Sequence, residues 1–150
     1  MPQIEPQFEN LDEFNDLAIK LVEKHSQKFS GIDLGVIAAR QIVNRERSDK
    51  NPKLYEVMAV KPPIREDCKY AFYIIIHKSD WDILEQKHRL LLIAQALHSI
   101  VLDENGEMTE GKVASPDMKD FAPMLRTFGT DYLVKDNVPD LLEDEIKWVD

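Results

Sequence analysis

The sequence predicts an α+β fold, and three observations carry that prediction. An amphipathic helical stripe comes first, three strand-like runs follow it, and an almost wholly apolar helix comes after the strands. Helices and strands are segregated along the chain instead of alternating, which argues against a βαβ repeat. With 150 residues, 43% of them hydrophobic, the chain fits one domain with a genuine core.

The first helix is read in "NLDEFNDLAIKLVEKHSQKF". Leu11, Phe14, Leu17, Ala18, Leu21 and Val22 recur at steps of three and four and make one apolar stripe. Asn10 is the expected N-cap, Asp12 and Glu13 suit the first turn, and Gly31 ends the segment. "IDLGVIAARQIVN" is read as a strand from its β-branched content, although Ala38, Ala39 and Arg40 would tolerate a helix. "NRERSDKNPK" is a polar connection, and "LYEVMAV" is a second strand stopped by Pro62 and Pro63. "KYAFYIIIHK" is the clearest strand; its apolarity on both faces predicts a place inside the sheet.

"SDWDILEQKHRLLLIAQALHSIVL" predicts the second long helix, capped by Ser79 or Asp80, with a short helix and a turn before Glu85 as the alternative. Its part over residues 85–102 is expected to be the central buried helix, packed on a three- or four-stranded sheet. "DENGEMTEGKVAS" reads as an acidic loop. "SPDMKDFAPMLRTFG" predicts a third helix with Ser115 as N-cap, Pro116 at its first position, Pro123 shortening or kinking it, and Gly129 past its end. From Pro139 a short amphipathic helix is expected, with Leu141, Leu142, Ile146 and Trp148 inward. A single domain thus spans 1–150, its core over about 11–132 and an acidic tail over 133–150.

The formal net charge of −9 disfavours direct nucleic-acid binding, which draws on Lys and Arg to displace counterions. A protein is the expected partner. The acidic stretches "VLDENGEMTEG" and "DLLEDEIKWVD" could imitate nucleic acid towards a basic partner, but a solvated surface is the simpler reading. One cysteine, Cys68, fits a reducing compartment, and no signal peptide is read in "MPQIEPQFEN", so a cytoplasmic location is expected. The longest apolar runs, "LLLIA" and "FYIII", are too short to span a bilayer. Oligomeric state is not legible.

The element order, with "YAFYIIIHKSDWDILEQKHRLLLIAQALHSI" followed by "SPDMKDFAPMLRTFG", resembles the phage-associated metallopeptidases, small zincin-like domains in the style of SprT peptidases. The resemblance covers residues 11–132 and rests on the strand over 72–76, Trp81, "EQKHRLLLI", Asp117 with Phe121, and Gly129. It implies a zincin-like fold with an HExxH helix. In such a helix two His one turn apart hold zinc, and the Glu takes a proton from the bound water. The corresponding positions here are Gln95, Ala96 and Ser99, and the third ligand falls at Pro116, beside Asp117. Gln95 is at best a weak neutral ligand, Ala96 cannot accept a proton, and Ser99 and Pro116 cannot replace imidazoles.

The resemblance therefore implies a catalytically inactive pseudo-peptidase of phage or prophage origin with no cofactor. It would lie in the host cytoplasm and bind a macromolecular partner in the old cleft, with His77, Trp81, Gln95, His98, Ser99 and Asp117 as the candidate binding residues. The alternative is an active zinc peptidase, or a hydrolase assembled from His77, His98 and Asp117. A structural phage protein or homo-oligomer is a third reading.

Each residue also has a plainer reading. His98 serves as a core or partly exposed histidine with one hydrogen bond, and His77 as a surface histidine. His88 and His98, ten residues apart, fall on different helix faces and cannot form a metal pair. Gln95 and Ser99, four apart, would share a face and fill the old metal position with neutral polar contacts. Cys68 has no His at a diagnostic spacing, so a nucleophile is not expected.

Overall fold

A computed structural model describes residues 5–50, 53–114, 122–129 and 131–149. Its centre is a four-stranded mixed sheet built from β1 (Phe8–Asn10), β2 (Ile37–Ile42), β3 (Tyr55–Ala59) and β4 (Phe72–His77), in the order β1-β2-β4-β3. β2 and β4 are parallel, and the two edge strands are antiparallel to their neighbours. β4 lies inside the sheet, as its two-faced apolarity predicts. A short 3-10 turn, Leu34–Val36, leads into β2.

The β2–β4 register divides the sheet into two faces. Ile37 pairs with Phe72, Ala39 with Ile74 and Gln41 with Ile76. Because side chains alternate along a strand, these point to one side, where Ile37, Ala39, Phe72, Ile74 and Ile76 join the core. Helix α1 (Asp12–Lys24) adds Phe14, Leu17, Ala18 and Leu21, its predicted stripe. On the outer face, Ala38 pairs with Tyr73, Arg40 with Ile75 and Ile42 with His77.

The predicted 85–102 helix is altered at both ends. A six-residue helix, α3 (Lys78–Ile83), comes first; Leu84 and Glu85 are extended, and α4 (Gln86–Leu97) follows, so the short-helix alternative is the one formed. α4 is buried nearly all round, as its apolarity predicts. It stops at Leu97, because the β-branched Ile100 and Val101 enter strand β5 (Ile100–Leu102), paired with β6 (Met108–Val113). The acidic "loop" is thus a hairpin. Asp103 accepts hydrogen bonds from the backbone N–H of Asn105 and Glu107, and Gly106 takes φ +78°.

Other elements depart from expectation in smaller ways. Asn10 belongs to β1 and does not cap α1; Leu11 holds the cap position, and its N–H is taken by Ala39 O. A single turn, α2 (Ile64–Asp67), follows the proline stop. Ser115, Pro116, Asp117 and Phe121 lie outside the described residues, where the start of the third helix was expected. The described part of that helix is α5 (Ala122–Phe128), with Pro123 at its start and Gly129 closing it at φ +77°. After Pro139 there are turns in place of a helix: Asp140 accepts from the N–H of Leu142 and Glu143. The inward residues are nonetheless those foreseen. Leu141 is wholly buried and Leu142, Ile146 and Trp148 pack on the core, which extends past the 132 limit expected for it.

Candidate functional site

The C-terminal end of α4 is where the family resemblance places the chemistry. Gln95 is half-buried on its last turn, and Ala96 is fully buried in the core. His98 caps the helix and Ser99 lies beyond it, only 3% exposed. The N–H and the hydroxyl of Ser99 both bond to Ala96 O, and its own carbonyl accepts from Ala114 N–H of the hairpin. Ser99 thus lies in the turn that closes α4, with its hydroxyl held by the helix's own backbone.

His98 has a structural role. Its Nδ1 bonds to Ala94 O at 2.7 Å, and its ring packs edge-on to Phe29 and against Trp148, with centroids 5.6 and 6.0 Å away. Trp148 also meets Phe128 and His25 edge-on, so an aromatic cluster closes over the end of α4. Trp81 sits in the core against Phe14, with the Arg89 guanidinium over its ring. His77, the last residue of β4, faces the outer side of the sheet, away from α4. The fold thus separates His77 from Gln95, His98 and Ser99. Pro116 and Asp117 fall outside the described residues.

A zinc ion does not fit the donors at this end of α4. The candidates are a neutral amide, a methyl group and a hydroxyl already spent on Ala96 O, while His98 is bound to Ala94 O. Among the described residues, no three His, Cys, Asp or Glu side chains gather as a metal would require.

Two features escaped the sequence reading. On the outer sheet face, a hollow of about 330 Å³ lies beneath the segment after β2, lined by Ile42, Arg45, Glu46, Leu54, Glu56 and His77 among others. Burial pushes the His77 imidazole below its ordinary value; Asp80 opposes this and the Arg45 and Arg47 guanidiniums add to it. Arg47 pairs with Asp80 at 3.0 Å. The only sequence signal was a polar connection rich in both charges.

The second feature is Cys68, whose Sγ lies 3.6 Å from the Tyr73 hydroxyl. The backbone N–H of Tyr70 and then the Tyr73 hydroxyl draw the thiol below its ordinary value; burial opposes them, and the Arg65 guanidinium adds a smaller pull downward. Tyr73 is correspondingly pushed up, chiefly by its bond to Cys68.

The family model described as "Putative phage metallopeptidase" matches residues 6–144, and the chain belongs to that family. The match extends beyond the 11–132 span of the sequence resemblance at both ends. Neither the curated proteins nor the solved structures provide a match. No helix among the described residues is long and apolar enough to cross a membrane.

Proposed function

We propose that this protein is a pseudo-peptidase of zincin-like fold. It keeps the scaffold of a phage metallopeptidase family and acts by binding a protein partner in the host cytoplasm, with no resident cofactor. The observation that carries the reading is the set of side chains at the end of α4: Gln95 is a neutral amide, Ala96 a buried methyl, and the Ser99 hydroxyl is tied to Ala96 O. The residues at those positions also lack the chemistry to hold zinc or move a proton. A net charge of −9 makes a protein the better partner than nucleic acid.

The binding surface centres on the exposed part of Gln95 and its surroundings; His77 faces the other way and drops out of it. Metal content tests the reading. The untagged protein, incubated with zinc and desalted, is expected to retain far less than one equivalent. Stoichiometric zinc would overturn the proposal in favour of an active peptidase, and peptide hydrolysis would then be assayed. Once a partner is in hand, Gln95→Arg should weaken binding and leave thermal unfolding unchanged; Ser99 is too buried for that test.

A further inference from the structure

We propose that the outer face of the sheet carries a separate binding site for a small zwitterion with an apolar body, the chemistry shared by free amino acids and short unblocked peptides. β2 and β4 are adjacent and parallel, so Ile42 and His77 end side by side. The segments that leave these two ends stay in touch, since Arg47 after β2 pairs with Asp80 of α3 at 3.0 Å. After Ile42 the chain passes over the outer face, where Arg45, Glu46 and Leu54 enclose the 330 Å³ hollow together with outer-face residues. After His77 it turns inward, and α3 places Trp81 in the core against Phe14. In open sheets with parallel strands, ligands bind in the crevice outside the carboxyl ends of those strands, which is where this hollow lies.

The hollow lies at the low end of the roughly 300–1,000 Å³ range of ligand clefts, which sets a small occupant. A second hollow of about 380 Å³ shares Ile42, Arg45 and Glu46 and runs on towards Lys78 and Asp82. Ile42, Leu54 and Ile75 supply apolar surface; Arg45 and Lys53 are matched by Glu46 and Glu56. With cations and anions in equal number among the described lining residues, the wall gives no net attraction to a polyanion or a polycation. A molecule with one ammonium and one carboxylate on an apolar body meets all three kinds of surface. Arg45 and Lys53 each already interact within the fold, so the site is partly organised before a ligand arrives. It lies on the far side of the sheet from α4, and its test is independent of zinc.

The full chain, labelled with nitrogen-15, is titrated with leucyl-leucine, free leucine, N-acetyl-leucinamide and inorganic phosphate, each in a separate NMR series. Saturable shifts centred on Ile42, Glu56 and His77 are expected with either zwitterion, and the tighter of the two identifies the source. The blocked analogue should bind at least about tenfold more weakly, and phosphate should not bind. Ile75→Trp, which fills the hollow, should abolish the shifts while the rest of the spectrum stays dispersed; if that variant does not fold, Arg45→Gln should weaken binding by about tenfold. The absence of saturable shifts, shifts centred elsewhere, or equal binding of phosphate or the blocked analogue would overturn the proposal.

Discussion

The indole N–H of Trp148 donates to Nδ1 of His25 at 3.2 Å, joining residues 123 positions apart. Because indole only donates, Nδ1 must accept, and the imidazole proton sits on Nε2, which donates to Leu141 O at 2.7 Å. Lys28 lies over the same indole, 5.4 Å from its centroid, and Val149 N–H bonds to Thr127 Oγ1. The last described residues are thus tied to both α1 and α5. Trp148→Phe keeps an aromatic ring and loses the donor, so about 1 kcal/mol of unfolding free energy should go. Trp148→Ala should cost roughly 2–3 kcal/mol, below the 3–5 typical of a fully buried aromatic. Urea denaturation followed by circular dichroism measures both.

Gly31 supplies a second test. It takes φ +88°, and a Cβ there would lie 1.8 Å from the carbonyl oxygen of Gly106 in the hairpin turn. Gly31→Ala therefore adds a backbone clash to the ordinary left-handed penalty of about 1 kcal/mol. A total loss above roughly 2 kcal/mol is expected, while Gly106→Ala, with open space around its Cβ, should show only the conformational penalty. A neutral Gly31→Ala would mean that the hairpin does not rest on this turn.

The Cys68 thiol should react with iodoacetamide at lower pH than an unperturbed cysteine. Tyr73→Phe removes one stabilising donor and should move the reactivity midpoint part of the way back up. The Tyr70 backbone N–H, the largest influence, survives that change. An unshifted midpoint would remove Tyr73 from the account.

His77 predicts a pH dependence of stability. Its imidazole is held below the ordinary value of 6.5 when folded, so the unfolded chain takes up the proton more readily. Its contribution to stability is intact above about 6.5 and is lost as pH falls through that value towards the folded one. Partial exposure keeps the slope shallow. Denaturation midpoints measured from neutral to mildly acid pH should fall less steeply in His77→Gln than in the parent; identical slopes would refute the assignment.

Writing the metal motif back should fail. Gln95→His, Ala96→Glu and Ser99→His together place a carboxylate in the core and an imidazole at a 3% exposed turn position. The triple variant should be destabilised by several kcal/mol and still not retain stoichiometric zinc, as read by metal analysis after desalting. Zinc retention by a folded triple variant would mean that the end of α4 still accepts the metal.

The parts of the fold that were legible were those where one pattern dominates. β4 declared its central place by apolarity on both faces, and α1 by its stripe. The end of α4 was not legible, because residues 90–102 are apolar apart from Gln95, His98 and Ser99 and carry no period to separate a buried helix from the strand that follows. The hairpin was hidden by its acidic composition, although Asn105-Gly106 is a turn signal flanked by a strand former on one side. At the site, residue identities alone set Gln95, Ala96 and Ser99 apart from the side chains of an HExxH helix. Opposite placement of His77 and Gln95 depends on strand alternation and sheet order, which no local stretch encodes.

The His25 tie has a consequence for how the protein is made. His25 emerges from the ribosome early, but its acceptor at Leu141 is 116 residues further on. At cellular synthesis rates of about 5–20 residues per second, that gap lasts on the order of ten seconds. During that interval the end of α1 and Phe29 must wait with their apolar surface uncovered. The newborn chain is therefore most exposed to chaperones and proteases at this surface until Leu141 and Trp148 arrive.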